Sequence, residues 1–198
     1  MQVTEQGLGD QIRTVLRAPE TGPTMRRFFV NTIFDSTFVI LGILIASAFG
    51  NDPHLRIIIA TIITSSVALG ISTGVSVYEA ETMEQALKMK EIERAMLRSL
   101  EDTRIGRTSK LTIILIAGVN FIAPLIAGAI TLAPFLLLGE GSVKTAAIVS
   151  VGLAILILFV VGAAMGRSGG RNPWKQGARM AIAGVGAFVI CYWIESLL

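Results

Sequence analysis

The sequence predicts an all-α integral membrane protein with five transmembrane helices, the second of them extended into the cytoplasm. Five apolar runs, at about 28–50, 55–78, 111–138, 143–166 and 177–194, are each long enough to cross roughly 30 Å of hydrocarbon as a helix. The chain is 53% hydrophobic with a mean hydropathy of +0.69, and the gathering of its apolar residues into those runs decides the class. Fifteen of the seventeen Lys and Arg residues fall on one alternating set of helix ends, and only Arg56 and Lys144 fall on the other. That bias places the N-terminus in the cytoplasm and the C-terminus on the opposite side.

Several function classes are excluded at once. Cys191 is the sole cysteine and His54 the sole histidine, so one chain can form neither a disulfide nor a two-histidine metal centre. The pI near 9.4 comes from bases at the membrane edges, which topology explains without any nucleic acid. Residues 1–23 carry acids and lack an apolar core, so they are no secretory signal. A membrane-embedded enzyme would need several acids or a Ser-His pair at membrane depth, and these are missing; the chain is predicted not to be an enzyme.

Residues 1–27 form a cytoplasmic leader. Within it Ile12, Val15 and Leu16 share a helical face beside Arg13 and Arg17, which fits a short interfacial helix or a solvated segment. Pro19, Gly22 and Pro23 are expected to break the chain ahead of the first span. The first span, FFVNTIFDSTFVILGILIASAFG, contains Asp35, the one carboxylate lying well inside any of the five. Seven residues separate it from Phe28, about 10 Å of helical rise, which is too deep for so short a side chain to reach water. An acid there costs roughly 2.5–3.5 kcal/mol on insertion scales, so it marks a functional site.

A Gly50-Asn51-Asp52-Pro53 turn joins the first two spans as an antiparallel hairpin. The second span ends in ALGISTGVSVY, where Gly70 and Gly74 stand at the spacing that lets helices approach closely. Residues 79–110 then carry seven acids and seven bases without Gly or Pro before Gly106, and are predicted to prolong the second helix into the cytoplasm. Ala80, Met83 and Leu87 give this extension a partial apolar stripe suited to a partner helix. Pro124 and Pro134 are expected to kink the third span. The fourth span is uncharged, and GRSGGRNPWKQGAR leads to the fifth, closed by Glu195.

Antiparallel pairing sets Asp35 near the level of Ser72, Ser76 and Tyr78 and below Glu79 and Glu81. Carboxylate, hydroxyl and carbonyl oxygens suit divalent cations, and the thioether of Met83 or Met89 adds softer character. Glu81, Glu84 and Glu91 are three and seven residues apart, close to one helical face, where they make a capture site for cations or simply a solvated, salt-bridged surface such as Glu84 with Lys88.

This ordered set resembles the vacuolar iron transporter family over roughly residues 28–198. The best-matching pieces are FDSTFVILGI and the closing loop and helix from Gly166. The resemblance implies a homodimer that exports Fe²⁺ or Mn²⁺ from the cytosol in exchange for protons. The first two spans would line the path at the dimer interface, the extension would capture metal, and no cofactor would be permanently bound. It carries the metal role over to Asp35 and to Glu81, Glu84 and Glu91, with Glu79 as a substitute acid one turn further along; Ser76 and Met83 join the metal candidates on ligand chemistry alone. Two departures stand out. Where the family has Gly-Glu-Tyr in the second span, Gly74 is followed by Val75, and the extension is only about thirty residues long. A non-transporting scaffold or metal sensor is therefore the alternative, and a channel differs from an antiporter only by flux without a proton gradient.

Overall fold

The computed structural model describes residues 21–50, 53–97 and 104–197, and the regular structure among them is entirely helical. In chain order these are α1 (Thr21–Ala48), α2 (Leu55–Met96), α3 (Arg104–Leu138), a single 3₁₀ turn (Glu140–Ser142), α4 (Val143–Ser168) and α5 (Pro173–Glu195). All five α-helices are long and apolar enough to cross a membrane. The protein is an all-α integral membrane protein, as the hydropathy predicts. The possible interfacial helix at residues 12–17 lies outside the described residues.

Four boundaries differ from expectation. The first helix starts at Thr21 and takes in Gly22 and Pro23 instead of breaking there. A proline in the first helical turn loses no hydrogen bond, because its N–H would have no partner anyway. The second helix continues through 42 residues to Met96, and Leu97, at φ 54°, leaves the right-handed region and closes it. Residues 104–110, expected to belong to the extension, instead open α3, with Gly106 inside a helical turn. The fifth helix begins four residues early, at Pro173, because Asn172 caps it. The Asn172 side-chain oxygen accepts the N–H groups of Trp174 (3.1 Å) and Lys175 (3.5 Å).

The chain divides into two compact units. The larger comprises Val30–Ile71 and Ile122–Leu198. Its core is built from Ile40, Leu41 and Leu44 of α1, Ile58 and Ile62 of α2, Leu132 and Phe135 of α3, and Val151 and Leu158 of α4. Hydroxyls in this unit turn back on their own helices, as Ser36 does to the Thr32 carbonyl (2.6 Å) and Thr37 to Ile33 (2.7 Å), so burying them leaves no unpaired donor. Ser150 instead reaches from α4 to the Thr131 carbonyl of α3 (2.7 Å). The α4–α5 hairpin is packed backbone to backbone. A Cβ at Gly177 would lie 2.8 Å from the Phe159 carbonyl oxygen, and one at Gly166 would lie 3.0 Å from Pro173 Cα. Only glycine permits that approach.

The smaller unit comprises, among the described residues, 21–29, 72–97 and 104–121. Its Thr73 and Asn120 compensate for the helix-breaking chemistry of Pro124, which follows on α3 just past this unit. Pro124 has no N–H to offer the Asn120 carbonyl one turn back. That carbonyl accepts the Thr73 hydroxyl from α2 at 3.2 Å, while the fully buried Asn120 amide donates to the Ile116 carbonyl at 2.8 Å. Helix α3 thus runs unbroken through the proline. Thr73→Val keeps the shape and removes the donor, and should lower stability by about 1 kcal/mol. Pro124→Ala restores an N–H for Asn120, so in that background the cost of Thr73→Val should shrink. Thermal unfolding of the two single variants and the double variant measures this coupling.

Candidate functional site

The expected site residues divide by exposure. Asp35 sits on the outward face of α1, following Asn31 and preceding Val39, all three exposed and four residues apart. The opposite face of the same turns is buried through Ile33, Ser36, Thr37 and Ile40. The hairpin core thus takes one side of α1 and leaves the carboxylate on the other. Ser76, Glu79, Met83, Glu84 and Glu91 are likewise exposed along α2, with Glu84 paired to Lys88 at 3.1 Å.

Glu81 is the exception. It is 3% exposed, on the inward side of α2 with Val77, so it turns away from Glu84 and Glu91 instead of sharing their face. A small network holds it. The Ser109 hydroxyl of α3 donates to Gln85 Oε1 at 3.0 Å, which leaves the Gln85 amide N–H groups to donate to the Glu81 carboxylate one turn earlier. Arg27 of α1, itself stacked 5.3 Å over the Phe28 ring, adds positive charge nearby. Burial, and next the charge of Glu84, raise the Glu81 pKa above its usual value of 4.5, while Lys88, Arg27 and the Gln85 bond pull it partly back.

The raised pKa has a defined sign. An acid whose folded pKa lies above its unfolded one stabilises the fold below the unfolded pKa and loses that contribution as pH rises through the folded pKa. Glu81→Gln retains an acceptor for Gln85 and removes the buried charge. It should therefore raise the melting temperature at pH 7.5 by a few degrees, and the gain should vanish near pH 4. Thermal unfolding across that range checks it.

Within one chain, no three His, Cys, Asp or Glu side chains converge on a metal position among the described residues. Asp35 belongs to the larger unit, and Ser76, Glu79, Glu81, Met83, Glu84 and Glu91 to the smaller. Sequence reasoning missed Arg27, Gln85 and Ser109, the residues that hold Glu81. The one available signal was Gln85 at a helical turn from Glu81, a routine spacing.

A sequence profile described as the VIT family matches residues 72–196, well over half of the chain. The match starts at Ser72, so it includes every candidate on α2 and leaves Asp35 outside. An uncharacterized protein of Methanocaldococcus jannaschii is 24% identical over 177 residues, covering 88% of this chain and 90% of that protein. The five membrane-length helices agree with the family match, and the chain belongs to the VIT family, a family of membrane transporters.

Proposed function

We propose that this protein exports a divalent metal cation, Fe²⁺ or Mn²⁺, from the cytosol in exchange for protons, and works as a homodimer through its first two spans. The observation that carries this is the exposure of Asp35 on the surface of a membrane-spanning helix. A lone carboxylate facing lipid tails is untenable, whereas a second subunit laid against the same face removes it from lipid and supplies a second carboxylate by symmetry. Two carboxylates at one site are neutralised either by a divalent cation or by protons, and that choice is exchange chemistry. On α2, the exposed Met83 and Leu87 extend an apolar stripe beside Glu84 and Glu91, which fits a cytoplasmic surface where metal is collected before it enters the span. The bias in Lys and Arg supports a cytoplasmic position for this end, and with it the export direction of the proposal.

The test is uptake of Fe²⁺ and Mn²⁺ into proteoliposomes with and without an imposed pH gradient. Gradient-dependent flux supports the antiporter. Flux indifferent to the gradient would replace it with a channel. One observation favours a metal-binding sensor that does not transport: Val75 is apolar and 57% exposed, one residue after Gly74. Metal binding by the full-length protein without flux under either condition would establish that alternative.

A further inference from the structure

Arg167, Arg171, Lys175 and Arg179 recur every four residues across the junction of α4 and α5, and all four are exposed. No acid occurs between Gly141 and Ile194. The other base-rich segment, 79–110, balances seven bases with seven acids and pairs Lys88 with Glu84. Arg167 lies in the last turn of α4, where the helix dipole favours a base. The start of α5 is the reverse case. Its first turn holds no acid, so Lys175 and the flanking Arg171 and Arg179 add positive charge to the positive end of a helix. Such an arrangement is self-repelling unless an anion lies against it.

The frame beneath these bases is rigid. Gly170, at φ 66°, turns the chain, and the Arg171 N–H donates to the Gly166 carbonyl at 2.9 Å. Asn172 caps the next helix, and the glycine contacts of the hairpin hold its two backbones together. Trp174 stands 74% exposed at this end, its ring centred 5.8 Å from that of Phe159. Tryptophan prefers the headgroup layer, which sets the depth of the surface. Topological bias requires only that bases be numerous on one side. It does not require the missing acids or a fixed frame.

We propose that this end of the α4–α5 hairpin binds anionic phospholipid headgroups of the adjoining leaflet, with Arg171, Lys175 and Arg179 engaging phosphate and Trp174 seated at the interface. Lipid is the source because both helices enter the bilayer directly beside these residues.

The chain has two tryptophans, so Trp193→Phe leaves Trp174 as the sole reporter in the full-length protein. In mixed micelles, brominated phosphatidylglycerol should quench Trp174 at several-fold lower mole fraction than brominated phosphatidylcholine, and rising salt should narrow the difference. Replacing Arg171, Lys175 and Arg179 by Gln should reduce the preference by about five-fold per base at low salt. Replacing Lys88, Lys90 and Arg94 by Gln removes as much charge and should leave the preference intact. Equal quenching by the two lipids in the parent protein would overturn the proposal, as would an equal loss in the second triple variant. Millimolar inorganic phosphate displacing phosphatidylglycerol would also overturn it, by revealing a site for soluble anions. If the first triple variant does not fold, the lipid and salt comparisons in the parent still decide.

Discussion

Asp35→Asn should abolish gradient-driven Fe²⁺ and Mn²⁺ flux in proteoliposomes, a fall of about 100-fold or more, while leaving the protein as stable as before or more so. The two halves of this outcome have one cause. In the proposed dimer the carboxylate is the ligand that a cation and protons occupy in turn, so the neutral amide removes the exchange itself. A 100-fold fall corresponds to about 2.7 kcal/mol. The fold has no need of the charge. Asp35 is exposed, and its helix is anchored by Ile33, Ile40, Leu41 and Leu44 on the other side. An acid within a span costs roughly 2.5–3.5 kcal/mol on insertion, and Asn lightens that cost. Helicity by circular dichroism and the elution volume of the purified protein should match the parent. Undiminished flux in Asp35→Asn would remove the proposed pathway outright, whereas lost flux with lost helicity would speak only to folding.

Gly177→Val should produce the largest loss of stability among single substitutions in the α4–α5 hairpin. The first added carbon would already lie 2.8 Å from the Phe159 carbonyl oxygen and 3.0 Å from two atoms of its ring. A ring can rotate out of the way, but a backbone oxygen on a facing helix cannot, so the two helices must separate. Overpacking a filled interior costs typically about 1–3 kcal/mol, and a branched side chain against backbone sits at the upper end. Gly152 and Gly186, on the same two helices, are the contrast, because a Cβ there meets nothing within 4 Å. Gly152→Ala and Gly186→Ala should be neutral or stabilising by up to about 1 kcal/mol, since alanine favours helix more than glycine does. Thermal unfolding in one detergent orders the three variants, and a Gly177→Val protein as stable as Gly186→Ala would contradict the packing described.

The five spans were legible because hydrocarbon thickness imposes a length and apolarity that few other structures need. The continuation of α2 was legible for a different reason: no Gly or Pro interrupts the residues after Gly74 until well past Met96. What escaped the sequence depended on position within an element. Pro23 signals a break in general and is harmless in a first turn, so α1 began earlier than its composition suggested. Residues 104–110 were assigned to the extension of the second helix and instead open the third. Glu81 was grouped with Glu84 and Glu91 by spacing alone. Its inward turn depends on Gln85, Ser109 and Arg27, which come from three helices and share no pattern along the chain. Thr73 and Asn120 were similarly separate in the sequence, although Pro124 already implied a carbonyl in need of a donor.

The unbroken run of α2 from Gly74 to Met96 also has a mechanical side. These twenty-three residues of uninterrupted helix form a rod about 33 Å long. Such a rod acts as a lever arm. A pivot of ten degrees near Gly74 would carry the tip through roughly 6 Å, given that length. A flexible tail of the same composition would dissipate that rotation within a few bonds. In this helix it would arrive at Arg94 and Met96 nearly undiminished, so a small rearrangement near Gly74 would become a large displacement at the far end.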